Sequence, residues 1–127
     1  MIAVDTSALM AILLDEREAA ACTEALTSNE RLLISAATLA EAQIVADRRG
    51  IGDEMRDLVT GLGFEVVSLS AAAAQRVATA YQTWGKGIHP AGLNFGDCFA
   101  YALAQEYDCP LLFIGNDFTK TDLVGVL

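Results

Sequence analysis

Histidine and paired cysteines are almost missing from this chain, and their scarcity closes off two kinds of chemistry. His89 is the only histidine and lies in a Gly/Pro loop, so no Ser/His/Asp arrangement has a well-held base. Cys22, Cys98 and Cys109 are odd in number and lack the paired spacing of a zinc site. They read as reduced core residues, in keeping with a reducing compartment. No apolar run approaches the roughly 18 to 20 residues of a membrane span. The N-terminus also lacks the charged, apolar, small-residue order of a signal peptide, so a cytoplasmic location is expected. A GxxxxGK[ST] phosphate loop, internal repeats and low-complexity linkers are absent as well. Positive charge is the last shortage: 8 Lys and Arg stand against 17 Asp and Glu, a formal charge of −9. That balance opposes a nucleic-acid role, because affinity for phosphates comes mostly from Lys and Arg. Two divalent cations held by acidic side chains would bring −9 to −5.

What is present is apolar and regularly ordered. The 127 residues are 54% hydrophobic, enough for one real core, and a single domain over residues 1–127 is expected. A short strand, MIAV, precedes Asp5 and a helix with the sequence TSALMAILLDE; Arg17 to Ser28 continues as a second helix. Arg31 to Ser35 reads as a strand, AATLAEAQIVADRRG as a helix ending at the C-cap Gly50, and Asp53 to Leu62 as a further helix. Phe64 to Leu69 is expected as a strand, and Ser70 caps an alanine-rich helix to Trp84. The loop GKGIHPAGL then leads to a helix running to Gln105. LLFI is expected as a strand, Thr119 to Asp122 as a helical turn, and Val124 to Leu127 as a last strand. Strands alternating with helices specify an α/β fold, an α/β/α sandwich around a mostly parallel sheet.

Four carboxylates recur at places where such a sheet binds ligands. Asp5 and Asp117 each follow an apolar strand, beyond whose carboxyl end ligands sit. Asp97 lies in a first helical turn, off the apolar stripe of Cys98, Phe99, Ala102 and Leu103. Glu41 points from an apolar face, with Ala37, Ile44, Val45 and the stem of Arg48 around it, where an unpaired charge is costly. Each also has an ordinary structural role open to it. Asp5-Thr6-Ser7 are good helix caps, Thr38 and Glu41 match a capping box, Asp97 complements a helix dipole, and Gly-Asn-Asp is turn composition. Ser35 is an equally good cap for the Glu41 helix, which would leave Glu41 free. A cluster of like charges raises its own pKa values, and a hard cation such as Mg²⁺ or Mn²⁺ reverses that repulsion.

The motifs VDTSAL, ISAATLAEA, LNFGDCFAYALA and LLFIGNDFTKTD together resemble a PIN-domain ribonuclease of the VapC toxin type, over essentially the whole chain. The resemblance implies that Asp5, Glu41, Asp97 and Asp117 bind divalent metal, Mg²⁺ or alternatively Mn²⁺, and cut RNA. It also implies a homodimer and a cognate antitoxin that blocks the site. By the same likeness one hydroxyl of Thr6 or Ser7, otherwise caps, holds a metal-bound water. Asn116 stands where related sequences often carry Asp, and Asp117 is preferred because it directly precedes Phe118, as in the family pattern. Arg48, Arg49 and Lys86 are candidates for RNA phosphates, or else solvated surface. Trp84, Tyr81 and Tyr101 are candidates for base stacking, or else core. A signalling receiver domain would want paired acids after the first strand and a Lys before a Pro, and Lys120 precedes Thr121. A haloacid-type phosphatase would want an Asp where Ser7 stands. A PIN-like interaction module without catalysis is the remaining alternative.

Overall fold

The computed structural model describes residues 1–127. Its sheet has four parallel strands, β1 (Ile2–Val4), β2 (Leu32–Ser35), β3 (Glu65–Val67) and β4 (Leu111–Leu112), in the order β3-β2-β1-β4. Ala3 pairs with Leu33 on one side and Leu111 on the other, and Ile34 pairs with Val66. β1, β2 and β4 are buried along their whole length, which is why they read as continuous apolar runs and not as alternating ones. β3 is the edge strand and is largely exposed.

Successive side chains still go to opposite faces, and each face has its own core. Ile2, Val4, Leu32, Ile34 and Leu112 pack with Leu9, Cys22, Leu26, Ala42 and Met55. These come from α1 (Thr6–Leu13), α2 (Ala19–Ser28), α3 (Ala36–Arg48) and α4 (Gly52–Leu62). Ala3, Leu33 and Leu111 pack on the other face with Leu93, Cys98, Tyr101, Leu103 and Phe118. Two helices cover that side, α5 (Ala71–Trp84) and α6 (Phe95–Glu106). The result is the three-layer α/β/α sandwich expected from the strand–helix alternation. The α3 terminus also follows its sequence: Gly50, at φ +75°, lets the Ile51 and Gly50 amides turn back to the carbonyls of Ala46 and Asp47.

The C-terminal elements differ from expectation. LLFI is a strand only through Leu112, because the Ile114 amide donates to the Ser7 hydroxyl instead of continuing a ladder. Val124–Leu127 is not a strand: only Gly125 bridges to Leu111, through one hydrogen bond on either side. Gly125 offers the edge no side chain, and Val124 and Leu127 remain exposed. Thr119 to Asp122 is not helical; the segment is folded by turns in which Thr119 and Thr121 bond back to the carbonyls of Asn116 and Phe118. β3 is also shorter than the expected Phe64 to Leu69. No helix is long and apolar enough to cross a membrane.

Candidate active site at the carboxyl edge of the sheet

Asp5 leaves β1 and caps α1, its Oδ2 accepting from the Ser7 amide at 3.1 Å and the Ser7 hydroxyl at 2.6 Å. It is only 6% exposed. Burial raises its pKa most, the Ser7 bonds pull it down, and the Glu41 charge raises it again. Ser7 Oγ accepts the Ile114 amide at 3.0 Å as well, so one hydroxyl ties the end of β1 to the segment that follows β4. Ser7 is thus a cap and a cross-link at once.

Glu41 is not part of a capping box. Ser35 caps α3, accepting from the Ala37 amide at 3.3 Å, and Thr38 is buried with its hydroxyl unpartnered. Glu41 Oε1 accepts instead from Thr6 Oγ1 at 2.6 Å. Its carboxylate lies in the space that a side chain at Gly96 would fill, so a Cβ there would collide with Oε2. Gly96 is in helical conformation, not a turn, and its smallness is what admits Glu41 to α6. The sequence signal for this was the glycine itself, one residue before Asp97 in a helix that would otherwise favour alanine.

Asp97 occupies the third position of α6 and forms a full capping box with Asn94. Its amide donates to Asn94 Oδ1 at 2.8 Å, and its Oδ2 accepts from the Asn94 amide at 3.0 Å. The structural role is therefore real, and a second influence acts on the same carboxyl. Its pKa is pushed up to about 6, first by burial and then by the charges of Asp5, Asp117 and Glu41, against the lowering effect of the Asn94 amide. Asp117 is exposed on the turn after β4, directly before Phe118, which is buried against Phe113 with ring centroids 5.0 Å apart. Phe118 thereby fixes the turn that bears Asp117. Asn116 beside it is exposed and contributes its carbonyl to the turn.

Three segments far apart in sequence thus bring acidic charge to bear on the carboxyl of a fourth. No three His, Cys, Asp or Glu side chains close tightly enough to enclose an ion as they stand. One oxygen each of Asp5, Glu41 and Asp97 is held by Ser7, Thr6 and Asn94, so each carboxylate is oriented by a donor of the chain. As a donor set they are hard oxygens, the kind that Mg²⁺ and Mn²⁺ take.

Arg48 and Arg49 are exposed at the end of α3, and Lys86 is exposed in the loop after α5; none forms an ion pair. Lys120, three residues after Asp117, has the same standing and was passed over in the sequence, although it lies inside the LLFIGNDFTKTD motif. Tyr101 is core, not a stacking surface: 2% exposed, it accepts from Trp84 Nε1 at 2.9 Å and donates to Asp122 at 2.7 Å. Tyr81 bonds its hydroxyl to the Lys86 carbonyl. His89 is half-buried edge-on to Trp84, and its Nδ1 accepts the Ala91 amide, so it shapes the loop.

A buried parallel sheet, helices on both faces and acidic residues at the carboxyl edge define a three-layer α/β protein with an acidic candidate site. A model of the PIN domain matches residues 2–123. Ribonuclease VapC28 of Mycobacterium tuberculosis is 43% identical over 128 residues, taking in 98% of this chain and 96% of that one. Ribonuclease VapC30 of the same organism is 40% identical over 126 residues, 97% and 96% of the two chains. Among solved structures, VapC20 of M. tuberculosis, a sarcin–ricin-loop-cleaving toxin, superposes with a TM-score of 0.78 at 16% identity, covering 99% of this chain and 98% of that one. A toxin–antitoxin complex from Klebsiella pneumoniae gives 0.74 at 22% identity, with 96% and 93% covered. The chain belongs to the PIN-domain family, among the VapC ribonucleases.

Proposed function

We propose that this chain is a divalent-metal-dependent endoribonuclease and the toxin of a toxin–antitoxin pair, with Asp5, Glu41, Asp97 and Asp117 as its metal-binding and catalytic acids. The observation that carries the reading is the meeting of acids from separate segments: Thr6, next to Asp5, holds the Glu41 carboxylate, which lies against Gly96, the residue before Asp97, and the charges of Asp5, Asp117 and Glu41 all bear on the Asp97 carboxyl. A group so placed is relieved by a cation, and Mg²⁺, or Mn²⁺ in its place, suits an all-oxygen donor set. When bound, such a cation supplies an activated water and neutralises charge on the phosphodiester oxygens. The chain's own part is orientation: Ser7, Thr6 and the Asn94 amide each fix one oxygen of a carboxylate. On this reading Thr6 and Ser7 position ligands, and Asn116 presents Asp117. Arg48, Arg49 and Lys86 take RNA phosphates, and exposed, unpaired Lys120 joins them in this reading. The names of the relatives support RNA as substrate, and the solved toxin–antitoxin complexes of this fold support an antitoxin as partner. A homodimer of single-domain chains, active in the cytoplasm, completes the proposal.

The test is cleavage of structured and unstructured RNAs by the purified chain in Mg²⁺, Mn²⁺ or EDTA, beside Asp97→Asn. Asn keeps an acceptor for the capping box and removes the charge. Metal-dependent cuts that vanish in the variant are expected; cuts that persist in EDTA or in Asp97→Asn would refute the assigned site.

A further inference from the structure

α6 begins with an aromatic side chain that the fold does not bury. Phe95 is 72% exposed, the most exposed of the large hydrophobic residues, while the inward stripe of the same helix is buried. Its ring is nevertheless held, edge-on against Phe99 with centroids 4.8 Å apart. It follows the Asn94 cap and precedes Gly96, against which the Glu41 carboxylate lies, and Asp97. A groove beside it is lined by Ala40, Glu41, Ile44, Phe95 and Phe99. An aromatic face, a carboxylate of the proposed site and exposed Ile44 therefore share one wall. Arg48, unpaired, stands seven residues beyond Glu41, about 10 Å along the axis of α3.

We propose that Phe95 is a stacking platform for the base next to the scissile phosphate. The inference rests on the nuclease reading and adds a base-contacting residue to it. A phosphodiester attacked among Glu41, Asp97 and their partners has neighbouring bases within reach of Phe95, and every base offers a π face to an aromatic ring. In a duplex those faces are covered by adjacent bases and must be unstacked at a cost. An aromatic ring beside a carboxylate of the proposed metal site suits a base and its scissile phosphate, and Arg48, farther along α3, is free to meet a following phosphate. Phe95 also borders a wholly apolar groove with Leu69, Val77 and Tyr81, but on the Glu41 side a purely apolar partner would leave the carboxylate uncompensated.

The experiment is steady-state cleavage of a mapped single-stranded RNA in Mg²⁺ by the unsubstituted chain, Phe95→Ala, Phe95→Leu and Phe95→Trp. Each is run with and without an abasic nucleotide beside the cut, with the oligomeric state of every variant measured by size exclusion. Phe95→Ala and Phe95→Leu are expected to raise KM about tenfold, and Phe95→Trp to retain it. The abasic nucleotide should cost the unsubstituted chain a similar factor and add nothing in Phe95→Ala. The proposal is overturned if Phe95→Ala cleaves normally, if Phe95→Leu matches the unsubstituted chain, or if the abasic penalty persists without the ring. A change confined to oligomeric state or antitoxin binding would assign Phe95 to a protein interface instead. An unsubstituted chain that cuts no RNA refutes the nuclease reading itself, and this inference with it.

Discussion

Asp97 shows how one residue serves the fold and opposes it. The capping box stabilises α6, yet its ionised form is disfavoured, with a pKa near 6 against 3.8 for an unperturbed aspartate. A carboxyl raised in the folded state contributes stability that is complete below its unfolded pKa and is lost as pH rises through the folded value. At pH 7 the ionised Asp97 therefore weakens the metal-free chain. Asp97→Asn is expected to raise the melting temperature at pH 7 and to narrow its difference from the unsubstituted chain as pH falls from about 6 to 4. If Asp97 is a ligand as proposed, Mg²⁺ competes with the same proton, and its stabilisation of the unsubstituted chain should be small at pH 5 and full above pH 7. Calorimetry across that range, with and without Mg²⁺, checks both. A Mg²⁺ effect independent of pH would remove Asp97 from the ligands.

Gly96 is the second informative residue, because its backbone needs no glycine. Its φ is not positive, so alanine would ordinarily favour the helix by about 1 kcal/mol. The Cβ would instead meet the Glu41 carboxylate and push it from Thr6. Gly96→Ala is expected to keep the fold and lower RNA cleavage about 10- to 100-fold, the usual scale for disturbing the support of a ligand. Circular dichroism beside the cleavage assay separates the two effects. Normal cleavage would mean that Glu41 can move aside at no cost.

Between elements, the site depends on contacts whose partners are remote in sequence. The Ser7 hydroxyl joins Asp5 on one strand end to the Ile114 amide beyond another, and Tyr101 ties α6 to Asp122 in the segment after Asp117. Ser7→Ala would leave the half-buried Ile114 amide and Asp5 each short of a partner. The expected loss is about 1–3 kcal/mol of stability, read by urea unfolding, with weaker Mg²⁺ binding. Unchanged stability would mean that water replaces the hydroxyl. These contacts also mark where the sequence stopped being legible. Strand–helix alternation, continuous apolar strands and the caps at Asp5 and Ser70 were readable, because each is local. The end of β4 was not, since what stops it is a serine 107 residues away. Thr38 and Glu41 matched a box that does not form, as Ser35 caps first and the pattern alone could not choose between them. The acids could be nominated one at a time, but their influence on Asp97 needed the fold.

At the scale of the whole molecule, the proposed function requires a charge of −9 to coexist with an RNA substrate. Arg17, Arg31, Arg56 and Arg76 are already engaged with Glu or Asp, which leaves Arg48, Arg49, Lys86 and Lys120 unpaired. Four free cations set an upper limit on electrostatic attraction. Each neutralised phosphate of a single strand contributes about −0.7 to the slope of log affinity against log salt. RNA binding by Asp97→Asn in EDTA is therefore expected to fall with salt on a slope no steeper than about −3. Lys120→Ala or Arg48→Ala should each flatten it by about 0.7 if that cation meets a phosphate. Fluorescence anisotropy over a salt series reads these slopes directly. A steeper slope would require cations from a second chain and so support the homodimer. A flat slope would leave stacking and metal to hold the RNA, and would return all four cations to the solvated surface.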